Sequence, residues 1–340
     1  MSAGSLVFRT DIDFDQAIRQ DDYFLQPLAR LEEPLRERGI EFSRTHGEVE
    51  FADCDHGPPA TGRPLVLFDR SDGAFLWWRF HPRGRITRDL LEASNLLGLI
   101  KISRYSNRDT YNCVTVDTSH HARLIGEVHA TSMAAGSDAP VPPISDSAYS
   151  RIRLGVGYWG FDQCGPLIAT SDVELAGRRP IDVFCAHSVD YVCPAISWHR
   201  QMVLDQLAQI PGLKTVVGRG RVFLDENYRE LLMRSRICVS PWGWGETCIR
   251  DYEALLAGCV LIKPRTDFID SSLPLDERHY VACRPDFSDL QQRIGEVLDD
   301  WPRYASRAPQ LREYVVAARK PDRMADCYAA AFRDSVGLIR

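Results

Sequence analysis

The stretch from Ile237 to Pro264 reads ICVSPWGWGETCIRDYEALLAGCVLIKP and concentrates the residue types that handle an anionic ligand. It runs apolar, glycine-rich, amphipathic, glycine, apolar, which predicts a strand, a tight turn, a helix and a strand. Gly243 and Gly245 allow a sharp turn and a close approach of backbone to ligand. A helix from Glu246 to Leu256 aims its free N–H groups and positive dipole end at that turn. On such a helix Glu246, Arg250 and Glu253 fall at i, i+4 and i+7 and share one face, while Ile249, Tyr252 and Leu256 share another that can pack on a sheet. The chemistry that fits is diphosphate binding by Arg250 and bidentate binding of ribose hydroxyls by a carboxylate. Trp244 and Thr247 belong to the same turn and join the candidate binding set with Gly243, Gly245 and Glu253. The spacing alone equally allows a surface helix whose charges pair with one another.

Other candidates stand where loops follow strands. Arg200 opens a helix after the apolar run at Ile181 and is either a diphosphate contact or a surface arginine. His187 closes that run, and Lys263 closes the run Cys259–Ile262, where α/β sheets place their ligands. Asp69-Arg-Ser-Asp72-Gly follows Pro64–Phe68. Asp69 or Asp72 can serve as general base on an acceptor hydroxyl, against the alternative of an ordinary Asp/Gly turn. Lys101 and Arg104, after the run at Leu96, can bind an anionic acceptor.

These positions need a scaffold of alternating strands and helices. Runs at Ser5, Ile40, Pro64 and Leu96 predict strands, with a helix over Phe24–Arg38. A second alternating unit starts near Pro180: strands at Ile181, Leu213, Ile237 and Cys259, and helices over 197–210, 227–234, 246–256, 286–298 and 322–332. The expected fold is α/β, with two Rossmann-like domains facing across a cleft. Residues 1–165 are expected to bind the acceptor and 175–320 the nucleotide. Residues 321–340 are expected to form a helix that crosses back to the first domain.

Composition narrows the class. The chain has 340 residues, 44% hydrophobic and 26% charged, and a net charge of -6 from 41 basic and 47 acidic side chains. That size suits two domains, and an acidic balance without a basic run argues against nucleic acid as partner. No stretch approaches the roughly 18 apolar residues of a membrane span. The ten cysteines are scattered with no CxxC pair, which suits buried thiols in a reducing compartment rather than disulfides or zinc. A cytoplasmic protein is expected, with peripheral membrane contact open where an acceptor is lipid-linked. Gly155-Val-Gly-Tyr-Trp-Gly160 matches GxGxxG, yet Gly165-Pro166 follows and a loop is expected. Asp11-Ile-Asp13, Asp53-Cys-Asp55 and His120-His121 lack the context of a metal site, so no metal or cofactor is expected.

The segment around Glu246 resembles the donor-binding signature of GT-B glycosyltransferases, near the exostosin-like and CgeB-like groups. Ser240, Pro241, Gly243, Gly245, Glu246, Arg250, Tyr252, Glu253, Ala254, Gly258 and Pro264 carry the resemblance, with the helix at Tyr228 before them. It extends over residues 180 to 300. The resemblance implies a metal-independent glycosyltransferase acting on a nucleoside-diphosphate-sugar and a hydroxyl acceptor (glycan, lipid-linked saccharide or protein). Glu253 would hold the donor ribose, and Glu246 would stand near the glutamate that faces the transferred sugar. In many retaining members the two glutamates are one residue further apart, so stereochemistry stays open. The competing reading is a non-catalytic GT-B-like protein that binds a nucleotide or glycan as a partner subunit.

Overall fold

The computed structural model describes residues 5–19, 22, 24–53, 62–69, 74, 91–113, 144–171, 177–191, 194–219, 225–243 and 245–337. Asp72 and Trp244 lie outside them. The chain builds two parallel sheets. The first takes β1 (Leu6–Arg9), β2 (Ile40–Ser43), β3 (Val49–Asp53), β4 (Leu65–Phe68), β5 (Leu96–Lys101) and β7 (Ile152–Leu154), in the order β2-β1-β3-β4-β5-β7. The second takes β8 (Ile181–His187), β9 (Thr215–Arg219), β10 (Ser235–Val239), β11 (Val260–Pro264) and β13 (Val281–Cys283), in the order β13-β11-β10-β8-β9. Its central strands are apolar without alternation because helices cover both faces; all five residues of β11 are buried.

A third, two-stranded antiparallel ribbon links the halves. β6 (Ser103–Tyr105) of the first pairs with β12 (Ile269–Ser271) of the second. Arg104 reinforces it with an ion pair to Asp270 at 3.2 Å.

The predicted helix over Phe24–Arg38 is two short helices, Gln26–Ala29 and Glu32–Glu37. Pro34 has no N–H to offer the carbonyl of Arg30, so the helix cannot run through. A helix over Ala308–Ala318 that the sequence reading passed over leads into the closing helix, Pro321–Val336. That last helix packs on the first sheet. Its Phe332 ring lies 4.8 Å from Phe8, 5.2 Å from Phe51 and 5.4 Å from Phe42, and Arg38 pairs with its Asp322 and Asp326. Among the described residues no helix is long and apolar enough to cross a membrane.

Candidate functional site

In the second sheet β9 lies on one side of β8 and β10 on the other, so the chain reverses direction of winding between β8 and β10. Such a switch point opens a crevice at the carboxyl ends of the two strands, which is where open α/β sheets bind ligands. His187 ends β8, and Ser240 follows β10. The turn Pro241–Cys248 and the helix Ile249–Leu256 then line the crevice. Gly258, in the left-handed region at φ 71°, ends that helix. The position suits glycine as a helix stop, and a Cβ there would also press on the Arg179 guanidinium.

The helix opens at Ile249, three residues later than the sequence suggested. Cys248 is extended, at φ -125° and ψ 157°, and its N–H donates to Asp251 Oδ2 at 3.0 Å. Glu246 therefore sits in the turn rather than on a helical face with Arg250 and Glu253. It is buried, and its Oε2 accepts the Ala74 N–H at 3.1 Å. Ala74 follows β4 in the chain, so the first half touches Glu246 directly. The Ala74 carbonyl in turn accepts the Tyr111 hydroxyl at 3.0 Å.

Arg250 is nine-tenths buried, and among the described residues its Nε and Nη1 meet no hydrogen-bond acceptor. Buried donors are normally satisfied, so the guanidinium presents unused capacity for an anion. Glu253 is equally buried and accepts the Tyr228 hydroxyl at its Oε2, at 3.0 Å. Burial first, and the neighbouring Glu253 charge next, hold the Tyr228 pKa well above its ordinary value, so the phenol stays a donor.

Arg200 is buried behind the turn. Its Nε donates to the Trp242 carbonyl at 2.8 Å and its Nη1 to the Ser188 carbonyl at 3.0 Å, with the guanidinium 4.7 Å from the Tyr191 ring centre. A Cβ on Gly243 would come within 2.8 Å of Arg200 Nη2, so a larger residue there would push the guanidinium aside. His187 Nε2 lies 2.9 Å from the Arg200 carbonyl. Burial, then the charges of Arg250 and Arg200, push its pKa well below the ordinary value, leaving a neutral imidazole. Burial raises the Cys185 thiol to about 12 and also raises Cys248, so neither supplies a thiolate nucleophile at neutral pH.

The remaining candidates fall in three places. Gly245 accepts the Gly243 N–H at 3.1 Å within the turn, and Thr247 is buried there. Lys263 does not reach the crevice freely: its ammonium is tied to Asp251, and it donates to the Glu246 carbonyl at 3.2 Å. In the first half, Asp69 and Lys101 pair with each other at 2.5 Å, both buried, while Arg104 is spent on Asp270 and the Ile152 carbonyl. The winding of the first sheet reverses between β1 and β3, so Asp69, after β4, stands one strand beyond that switch point. Asp251, Tyr228 and Ala74, which bond to the candidates Lys263, Glu253 and Glu246, were missing from the candidate set.

Two parallel α/β sheets, each with a switch point and joined by a returning last helix, define a two-domain fold of the GT-B type. No family model matches the chain, and no curated protein matches it. Among solved structures it is similar to TarM, at 10% identity and a TM-score of 0.49 over 84% of this chain and 54% of TarM. HepE from Anabaena in complex with UDP-glucose is similar at 12% and 0.47, over 97% and 99%. An alpha1,3-fucosyltransferase with GDP-fucose is similar at 12% and 0.44, over 91% and 82%. The chain spans about half the length of TarM. The likeness concerns the course of the chain and does not single out the exostosin-like or CgeB-like groups.

Proposed function

We propose that the chain is a glycosyltransferase that moves a sugar from a nucleoside-diphosphate donor to a hydroxyl acceptor. The observation that carries this reading is the buried Arg250, two of whose nitrogens meet no acceptor among the described residues, at the switch point beside Glu253. Arg250 takes the diphosphate, whose charge grows as the glycosidic bond breaks, and its worth is greatest in a site shielded from water. The helix that opens at Ile249 adds its N-terminal dipole. Arg200 shapes the wall through the Trp242 and Ser188 carbonyls rather than by first contact. With this countercharge supplied by side chains, the reading needs no metal for the leaving group.

Glu253, oriented by Tyr228, accepts the ribose hydroxyls. Glu246 faces the transferred sugar, held by Ala74 from the acceptor side. The acceptor hydroxyl enters from the first domain. There Lys101 already engages Asp69, so Asp69 acts as base only if that pair opens.

The test is calorimetric titration with nucleoside diphosphates and their sugars, followed by a transfer assay on hydroxyl acceptors. Binding of one nucleotide and release of its diphosphate with an acceptor is the expected result. Binding without transfer or hydrolysis points to a binding subunit, and no binding at all removes the reading.

A further inference from the structure

We propose that the buried pair Asp251–Lys263 is the positioning device for Glu246, holding the turn Pro241–Cys248 in the shape that presents this carboxylate to the cleft. The proposal rests on the reading of Glu246 as the residue beside the transferred sugar.

The pair grips the turn at three points. Asp251 Oδ1 accepts the Ser240 hydroxyl at 2.6 Å, where the chain enters the turn. Asp251 Oδ2 accepts the Cys248 N–H at 3.0 Å, where it leaves. Lys263, from the neighbouring strand β11, binds Asp251 Oδ2 and donates to the carbonyl of Glu246 itself at 3.2 Å. Glu246 is thus held at both ends, its backbone by Lys263 and its carboxylate by Ala74 across the cleft.

Stability does not explain the pair. Both side chains are about 1% exposed, and a buried ion pair is often no more stabilising than apolar residues of the same volume. Val260, Leu261 and Ile262 fill the same strand with apolar side chains, so an apolar residue suits the fold at position 263. An apolar pair lacks directional bonds to Ser240, Glu246 and Cys248. These bonds matter because the turn contains two glycines and, among the described residues, closes on itself with the Gly243–Gly245 backbone bond. Asp251 and Lys263 touch no ligand in this scheme and act through Glu246.

The test is the double variant Asp251→Leu with Lys263→Met, which removes both charges together, keeps similar side-chain volumes and leaves no unpaired buried charge. We expect a melting temperature near that of the wild type. Nucleoside diphosphate affinity should stay within about threefold, because Arg250 and Glu253 remain on an intact helix, while kcat falls about 100-fold at unchanged donor KM. Amide exchange in peptide 241–248 should accelerate by about tenfold or more, with helix 249–256 still protected. A folded variant with unchanged exchange in that peptide, or with unchanged kcat, overturns the proposal. If the double variant does not fold, Ser240→Ala removes one bond and no charge. Faster exchange in the same peptide with a roughly tenfold lower kcat is then expected, and no change in either overturns it. A wild type that neither binds nor turns over a nucleotide sugar overturns the glycosyltransferase reading alone, since the exchange measurement still decides whether the pair holds the turn.

Discussion

At the scale of single residues, Arg250 makes a prediction whose two parts have opposite signs. A buried guanidinium two of whose nitrogens meet no acceptor among the described residues costs the unliganded protein free energy. Arg250→Met keeps the aliphatic stem and removes the charge, so the melting temperature without ligand should stay level or rise. Diphosphate affinity should fall by about tenfold to 100-fold, the loss of one charged hydrogen-bonding partner at about 1.5–3 kcal/mol. Calorimetry on the same sample reads both; a drop in stability together with intact binding would show that Arg250 serves the fold. His187 makes a second prediction. Its pKa is depressed in the folded state, so the unfolded chain binds the extra proton first. Its stability contribution is complete above the unfolded value of about 6.5 and is lost as pH falls below it, with a slope of up to about 1.4 kcal/mol per pH unit. His187→Gln should flatten that slope in denaturant titrations between pH 7 and 5. His279, also depressed, should leave a residual slope. Arg250 and Glu253 were legible in the sequence because a local motif encloses them. Asp251 was not, because its partners Ser240 and Lys263 come from two different strand ends and only the fold unites them.

At the scale of elements, eight of the strands and the longer helices other than Ala308–Ala318 were legible from apolar runs and glycine stops, including the closing helix, whereas Val49–Asp53, Ile152–Leu154 and Val281–Cys283 were not read as strands. Short pieces were not legible. β6 and β12 have three residues each, too few to show a period, although together they bridge the two halves. The start of the helix Ile249–Leu256 was misplaced for a physical reason. Pro241, Gly243 and Gly245 keep the chain in a turn, and the Cys248 N–H finds its acceptor in Asp251, which sets the first helical residue at Ile249. The other end of that helix is held by Arg312, whose Nη1 donates to the Leu256 and Leu167 carbonyls at 2.7 and 2.9 Å. Its Nη2 donates to the Ile168 and Thr170 carbonyls, both at 2.9 Å. One planar fork thereby fastens the segment 167–170 to the end of the helix Ile249–Leu256. Arg312→Ala should cost about 2–4 kcal/mol in denaturant unfolding, since several carbonyls lose a charged donor. Arg312→Lys should recover less than half of that, because an ammonium cannot span the four acceptors.

At the scale of the whole molecule, the closing helix decides whether the two halves unfold separately. The helix 308–318 that precedes it carries Arg312, bonded to the Leu256 carbonyl, and so belongs to the second half, whereas Phe332 lies among Phe8, Phe42 and Phe51 of the first sheet. The chain therefore leaves the second domain and completes the core of the first. The ribbon β6–β12 and the Ala74–Glu246 contact add links near the cleft. If these links couple the domains, damage to the first core must appear in the transition that a nucleotide stabilises through the second. Phe332→Ala removes a fully buried ring and should cost about 3–5 kcal/mol. Scanning calorimetry should then show one transition, shifted down by the substitution and up by nucleoside diphosphate, because a ligand of the native state stabilises whatever unfolds with its site. Two transitions, with the nucleotide moving only the one that Phe332→Ala leaves in place, would mean that the returning helix joins the domains without coupling them.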